Sequence, residues 1–120
     1  MTFNKVFLSG NLVADAETKD KSGFAITNFR IAVNERRKGA SGNWEDVPNF
    51  FNCTMFGNYG AKLASSMTKG TRISIGGKLR QSTWEKDGQK HNSVTIIVEE
   101  VEMPRKSEPA SELYDDDLPF

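Results

Sequence analysis

The chain has 120 residues, 37% of them hydrophobic, and 16 Lys and Arg balance 16 Asp and Glu. That length supports one domain with a modest core; no apolar run approaches the ~18 residues of a membrane span, and the lone Cys53 excludes a disulfide framework or a zinc set. The zero net charge hides a split: residues 1–103 hold 14 basic against 11 acidic side chains, residues 104–120 hold 2 against 5, so a mildly basic body carries an acidic tail.

The opening Met1-Thr2-Phe3-Asn4-Lys5 has neither the apolar stretch nor the cleavage site of a secretory signal, so cytoplasmic residence is expected. Val6 to Leu12 reads as a first strand, followed by a polar loop from Asp15 to Gly23. From Ala25 to Asn34 the pattern alternates, with Phe29, Ile31 and Val33 on one face and Asn28, Arg30 and Asn34 on the other. Arg36 to Gly42 reads as a basic, glycine-containing loop and Val47 to Phe56 as a third strand. Tyr59, Leu63 and Met67 then recur every four residues between Asn58 and Gly70, which predicts one short helix. Arg72 to Arg80 gives a fourth strand with Ile73, Ile75 and Leu79 inward, and Val94 to Val101 a fifth.

This order, β-β-β-α-β-β, predicts an all-β chain: a five-stranded OB-fold barrel with the helix between strands three and four. An immunoglobulin sandwich needs about seven strands and no helix, so it fits less well. The barrel is expected over residues 1–103, a flexible linker over 104–112, and a disordered acidic tail ending in a tip over 113–120.

In the third strand, alternation sets Phe51, Cys53 and Met55 against Phe50, Asn52, Thr54 and Phe56. The second set, polar between two rings, suits a platform on which unpaired bases stack without being read. Trp84 lies in an otherwise polar segment, 80–91, whose Asp87-Gly88 pair predicts a hairpin arm presenting the indole. Trp44, in the loop before strand three, fits either ligand contact or a cover over the barrel mouth. Arg30, Arg36, Arg37, Lys38, Lys78 and Arg80 are placed to meet phosphates, and Lys5, Lys86 and Lys90 extend the track. At the other end, Asp115-Asp116-Asp117-Leu118-Pro119-Phe120 joins three carboxylates to an apolar ending. Phe120 can fill a pocket while its carboxylate meets a basic rim, so this segment reads as a docking tip.

With these motifs in place, the chain resembles the bacterial single-stranded DNA-binding protein family. The match runs through Asn4-Lys5-Val6 and Gly10-Asn11-Leu12, Asn28-Phe29-Arg30-Ile31-Ala32, Asn49-Phe50-Phe51-Asn52, Phe56-Gly57 and Lys69-Gly70. It continues through Gly77-Lys78-Leu79-Arg80, Trp84 and the closing Asp-Asp-Asp-Leu-Pro-Phe. The resemblance implies a homotetramer that wraps single-stranded DNA in replication, recombination and repair, in a bacterial nucleoid or a phage-infected cell, and whose tip recruits proteins of those processes. It maps stacking aromatics onto Phe50, Phe56 and Trp84. A further aromatic position of the family falls at or near Arg37, which implies a phosphate contact there. At Phe51 some relatives carry a histidine that supports tetramer packing.

An RNA-binding OB domain would use similar rings and cations, and a replication adaptor without DNA affinity would use the tip alone; both remain open. No cofactor or catalytic set is expected. Cys53 has core parity, His91 sits in the polar arm, Gly76-Gly77 lacks a lysine-serine continuation and suits barrel closure, and no acidic pair converges.

Overall fold

The computed structural model describes residues 1–103; the expected linker, acidic tail and docking tip lie outside the described residues. Six strands form: β1 Val6–Leu12, β2 Glu17–Lys21, β3 Phe24–Lys38, β4 Trp44–Phe56, β5 Arg72–Lys86 and β6 Gln89–Glu102. Between β4 and β5 lie a helix, α1 Asn58–Leu63, and a 3₁₀ turn, Ala64–Ser66. The strands are ordered β1-β5-β6-β4-β3-β2, and β1 also pairs with β3 through Asn11–Ala32 and Leu12–Ile31. That second pairing closes β1, β5, β6, β4 and β3 into a five-stranded barrel with β2 outside it, the OB architecture expected from the sequence.

Period-2 alternation accounts for the core. Leu12, Phe29, Ile31, Cys53, Met55, Ile73, Ile75, Ile96 and Val98 are buried from the five barrel strands. Each fully buried aliphatic side chain contributes about 1.5–3 kcal/mol. Thr27 is also sealed, and its hydroxyl is satisfied by that of Thr18 at 3.0 Å. Two glycines permit the closure. A methyl at Gly10 would run into the Ala32 carbonyl where β1 crosses β3, and one at Gly77 would run into the Ile97 carbonyl. The β5–β6 register steps between Gly76 and Gly77, leaving Glu99 as the extra residue that bends β6.

Four expectations need correction. The stretch from Asp15 to Gly23 is not simply a loop, because β2 pairs with β3 from Glu17–Asn28 to Lys21–Phe24. A two-residue turn joins them, with Ser22 at φ 53° and Gly23 at φ 86°, the twist a tight hairpin requires. All five β2 side chains are exposed, so no apolar alternation betrays the strand. Likewise Arg36, Arg37 and Lys38 belong to β3 and Trp44 opens β4, where it pairs with Lys38, so none of them lies in a loop; the connection is only residues 39–43. There the β3–β4 ribbon runs beyond the barrel and sets Arg36 opposite Asp46 and Arg37 opposite Glu45, cross-strand charge pairs in place of a core face.

Leu79 keeps the parity of Ile73 and Ile75 yet is exposed. Pairing of β1 with β5 stops at Val6–Gly77, so only β6 runs beside it. Finally, the helix is six residues long and starts after Gly57, at φ 102°, with no side-chain cap from Asn58. Tyr59 faces outward, while Gly60 is buried against Met55 and Thr27. Met67 is fully buried, but from the segment that follows the 3₁₀ turn.

Candidate nucleic-acid interface

The even-numbered residues of β3 and β4 share the outer face of the barrel wall. Cross-strand pairing sets Phe56 beside Ile26, Thr54 beside Asn28, Asn52 beside Arg30 and Phe50 beside Ala32. Further out, the same parity carries Arg36 with Asp46 and Lys38 with Trp44. β6 lies along the other edge of β4, with Cys53 level with Ile96 and Thr54 with Ile97. Since β6 in turn pairs Ile97 with Lys78 and Thr95 with Arg80, two rows cross the wall: Asn28-Thr54-Ile97-Lys78 and Arg30-Asn52-Thr95-Arg80. A shallow groove of about 340 Å³ covers their β3–β4 part and reaches Thr95; Asn28, Arg30, Asn52 and Thr54 line it together with Asp15, whose carboxylate accepts from the Lys69 N–H at 2.8 Å.

Rings stand on this face without being sealed. Phe50 is 48% exposed and Phe56 50% exposed, whereas Cys53 and Met55 on the opposite parity are buried. The Arg30 guanidinium lies 4.8 Å from the centroid of the Phe50 ring, so one cation and one stacking surface already form a unit. Beneath the groove the Thr54 hydroxyl donates to Asn28 Oδ1 at 2.8 Å, which fixes two polar side chains between the rings.

Trp84 sits on the arm formed by β5 and β6, whose turn at Asp87 (φ 51°) and Gly88 (φ 78°) is the expected hairpin end. Lys78, Arg80, Trp84 and Lys86 share one parity of β5, the parity opposite to buried Ile73 and Ile75. Opposite Trp84 is His91, whose ring stacks on the indole with centroids 5.6 Å apart and planes at 23°. One indole face is thereby supported, and the side chain is still 46% exposed. From the sequence His91 is expected only as a solvated or phosphate-touching residue of the polar arm, and its stacking on Trp84 is added by the structure. Its register was nonetheless encoded, because Trp84 and His91 are equidistant from the Asp87-Gly88 turn.

The cations divide. Asn4 both donates to the Leu79 carbonyl (2.9 Å) and accepts from its N–H (2.8 Å), which sets Lys5 abreast of Lys78. Arg30, Lys78 and Arg80 lie on the ring-bearing face. Arg36, Lys38 and Trp44 share its parity on the projecting ribbon. Arg37 does not: it has the opposite parity, opposite Glu45 and 3.8 Å from Glu35. Lys90 pairs with Glu85 on the other side of the arm. The tip residues Asp115, Asp116, Asp117, Leu118, Pro119 and Phe120 lie outside the described residues.

Other chemistry-bearing groups do not converge. Burial pushes the Cys53 thiol up to about 12 and leaves it 1% exposed, so it is a core residue rather than a nucleophile. Among the described residues no three His, Cys, Asp or Glu side chains gather as a metal site, and no helix is long and apolar enough to cross a membrane.

The barrel and this face together define an OB domain equipped for a ligand that is both ring-bearing and polyanionic. The chain belongs to the Single-strand binding protein family, whose profile its residues 3–104 match. It is 38% identical over 101 residues to the single-stranded DNA-binding protein of Treponema pallidum, covering 83% of this chain and 57% of that one. Similarity to single-stranded DNA-binding protein 2 of Streptococcus agalactiae is 41% over 96 residues, covering 79% and 72%. Among solved structures, a deletion mutant of the single-stranded DNA-binding protein from Thermus aquaticus superposes with a TM-score of 0.75 at 27% identity, over 88% of this chain and 52% of that one. The chain thus spans little more than half the length of the first and last of these.

Proposed function

We propose that this protein binds single-stranded DNA without reading its sequence, and thereby protects it during replication, recombination and repair. The observation that carries this reading is the half-exposure of Phe50, Phe56 and Trp84 on faces that also bear Arg30, Lys78 and Arg80. Every base presents a π-face, so rings hold any sequence, and cations neutralise the backbone between them. The polar floor of Asn28, Asn52 and Thr54 supplies amide and hydroxyl groups, which can meet the edge of any base. Names of the relatives point the same way.

The chain acts as a homotetramer in this reading. Support comes from a second groove of about 510 Å³ on the β1–β5–β6 wall, where exposed Phe7 lies over Gly76. Glu100 and Glu102 line that groove, so it repels DNA and suits a protein surface. Residues 115–120 supply the recruitment of replication, recombination and repair proteins: Phe120 anchors in a pocket and the three aspartates meet its basic rim.

A titration with oligo-dT, oligo-rU and duplex DNA, read by tryptophan fluorescence, tests the core of the proposal. Preferential quenching by oligo-dT supports it. Equal affinity for oligo-rU would instead make this an RNA-binding domain, and no quenching by any of the three would leave only an adaptor role.

A further inference from the structure

The β2–β3 hairpin, which carries no ligand role in the sequence pattern, continues the ring-bearing face beyond Phe56. Ile26 is the cross-strand neighbour of Phe56 on one side and of Lys19 on the other, so these three share one face. Phe24, two residues before Ile26, has the same parity and pairs directly with Lys21. β4 ends at Phe56 and the Gly57 N–H bonds to the Ala25 carbonyl at 2.8 Å, so Phe24 stands level with the start of α1. α1 does not cover it. Gly60 lies against Met55 and Thr27, which have core parity, so the helix is packed under the barrel and not on its outer face. Phe24 is accordingly 68% exposed, more than Phe50, Phe56 or Trp84.

A phenylalanine at the last paired position of a polar, five-residue edge hairpin serves no core. Along the strand it lies about 7 Å from Ile26 and so about one extended nucleotide step from the Phe56 platform. Lys19 and Lys21 are its nearest same-face neighbours on β2, while Asp20 has the opposite parity and Glu17 lies back beside Asn28. Ring and cations therefore alternate here as they do at Arg30 and Phe50.

We infer that Phe24, with Lys19 and Lys21, forms an additional subsite that stacks one further base of a single DNA strand and meets its phosphates as the strand leaves Phe56. The inference rests on the proposed single-strand binding of the face. A second copy of the chain is the competing occupant, but two lysines beside the ring favour a polyanion. The two-residue turn at Ser22 (φ 53°) and Gly23 (φ 86°) sets the β2–β3 register, and that register puts Phe24 in line with Ile26 and Phe56.

The test compares Phe24→Ala, Lys19→Ala/Lys21→Ala and Phe56→Ala in the full chain, titrated with fluorescently labelled oligo-dT of increasing length. Phe24→Ala should weaken binding about 5- to 150-fold for long oligonucleotides and leave the shortest bound ones unaffected. The double lysine variant should lower the slope of log K against log salt by about 1.4. Because Phe24 is exposed, its removal should leave the thermal midpoint unchanged. Equal affinity of Phe24→Ala and the unaltered chain at every length would overturn the subsite while a weakened Phe56→Ala upholds the main face. If Phe56→Ala also binds normally, the face itself is wrong and the subsite falls with it. A changed mass by light scattering, without a length-dependent loss, would assign Phe24 to a contact between copies and equally refute the inference.

Discussion

Trp84→Ala gives the sharpest test of the arm. The indole is 46% exposed with one face against His91, so a base can lie only on the remaining face or along its edge. One stacked base is worth about 1–3 kcal/mol, which is about a 5- to 150-fold loss of affinity at 25 °C. The folded barrel should barely respond, because β5 from Leu79 onward is exposed and buries nothing of the core. What the free protein loses is the contact with His91, about 0.5–1.5 kcal/mol of local order within the hairpin. His91→Ala should therefore weaken binding by less than Trp84→Ala, since it removes the support and not the platform. The double variant should bind no worse than Trp84→Ala alone, because without the indole His91 has nothing to hold. Fluorescence anisotropy of labelled oligo-dT measures all three without relying on the deleted chromophore. Unaltered affinity in Trp84→Ala would refute the stacking role, and additive losses in the double variant would refute the supporting role of His91.

Salt dependence separates the cations: Arg80→Ala should reduce the slope of log K against log salt by about 0.7, and Arg37→Ala, on the opposite parity beside Glu35, by less. Gly77→Ala should lower the thermal midpoint, because overpacking against the Ile97 backbone costs about 1–3 kcal/mol and each kcal/mol moves a domain of this size by about 4–8 °C; an unchanged midpoint in scanning calorimetry would show that the β5–β6 step relaxes freely. Cys53, its thiol pushed from 9.0 up to about 12 by burial, should resist a thiol-specific reagent at pH 8 until the chain is unfolded by denaturant. The linked effect on stability has a definite sign. The unfolded thiol ionises above pH 9.0 while the folded one holds its proton to about 12, so Cys53 lowers stability between those values and leaves it unaffected below them. Urea titrations of the unaltered chain and of Cys53→Ala, compared across pH 8 to 10.5, check this.

Most of the barrel was legible because most of it has one wet and one dry face. Phe29 and Ile31, then Cys53 and Met55, alternate with polar or exposed neighbours, and burial follows that alternation directly. The same parity argument singled out Phe50 and Phe56, and the Asp-Gly pair announced the arm that bears Trp84. Where a strand leaves the barrel the argument loses its signal. β2 and the outer half of β3 are polar on both faces, and the outer half of β4 holds Trp44, Val47 and Pro48 without alternation, so backbone pairing forms them and side-chain pattern does not mark them. Leu79 shows the converse: its pattern is that of a core residue, but β1 stops pairing at Val6–Gly77 and only β6 runs beside it, which leaves it exposed.

The linear chain by itself determined the composition of the two faces, since in a strand the side-chain period is two and any residue's parity follows from counting. It determined the barrel's class as well, because only one small helix and five short apolar segments had to be arranged. Which faces meet was decided only by tertiary pairing. Parallel contact of β6 with β4, four decades of residues apart, is what lines Arg80 up with Arg30; the register of β2 is what extends Phe56 toward Phe24; and the turn geometry is what lays His91 against Trp84. Such alignments depend on closure of the sheet between segments distant in the chain, and no local period encodes that.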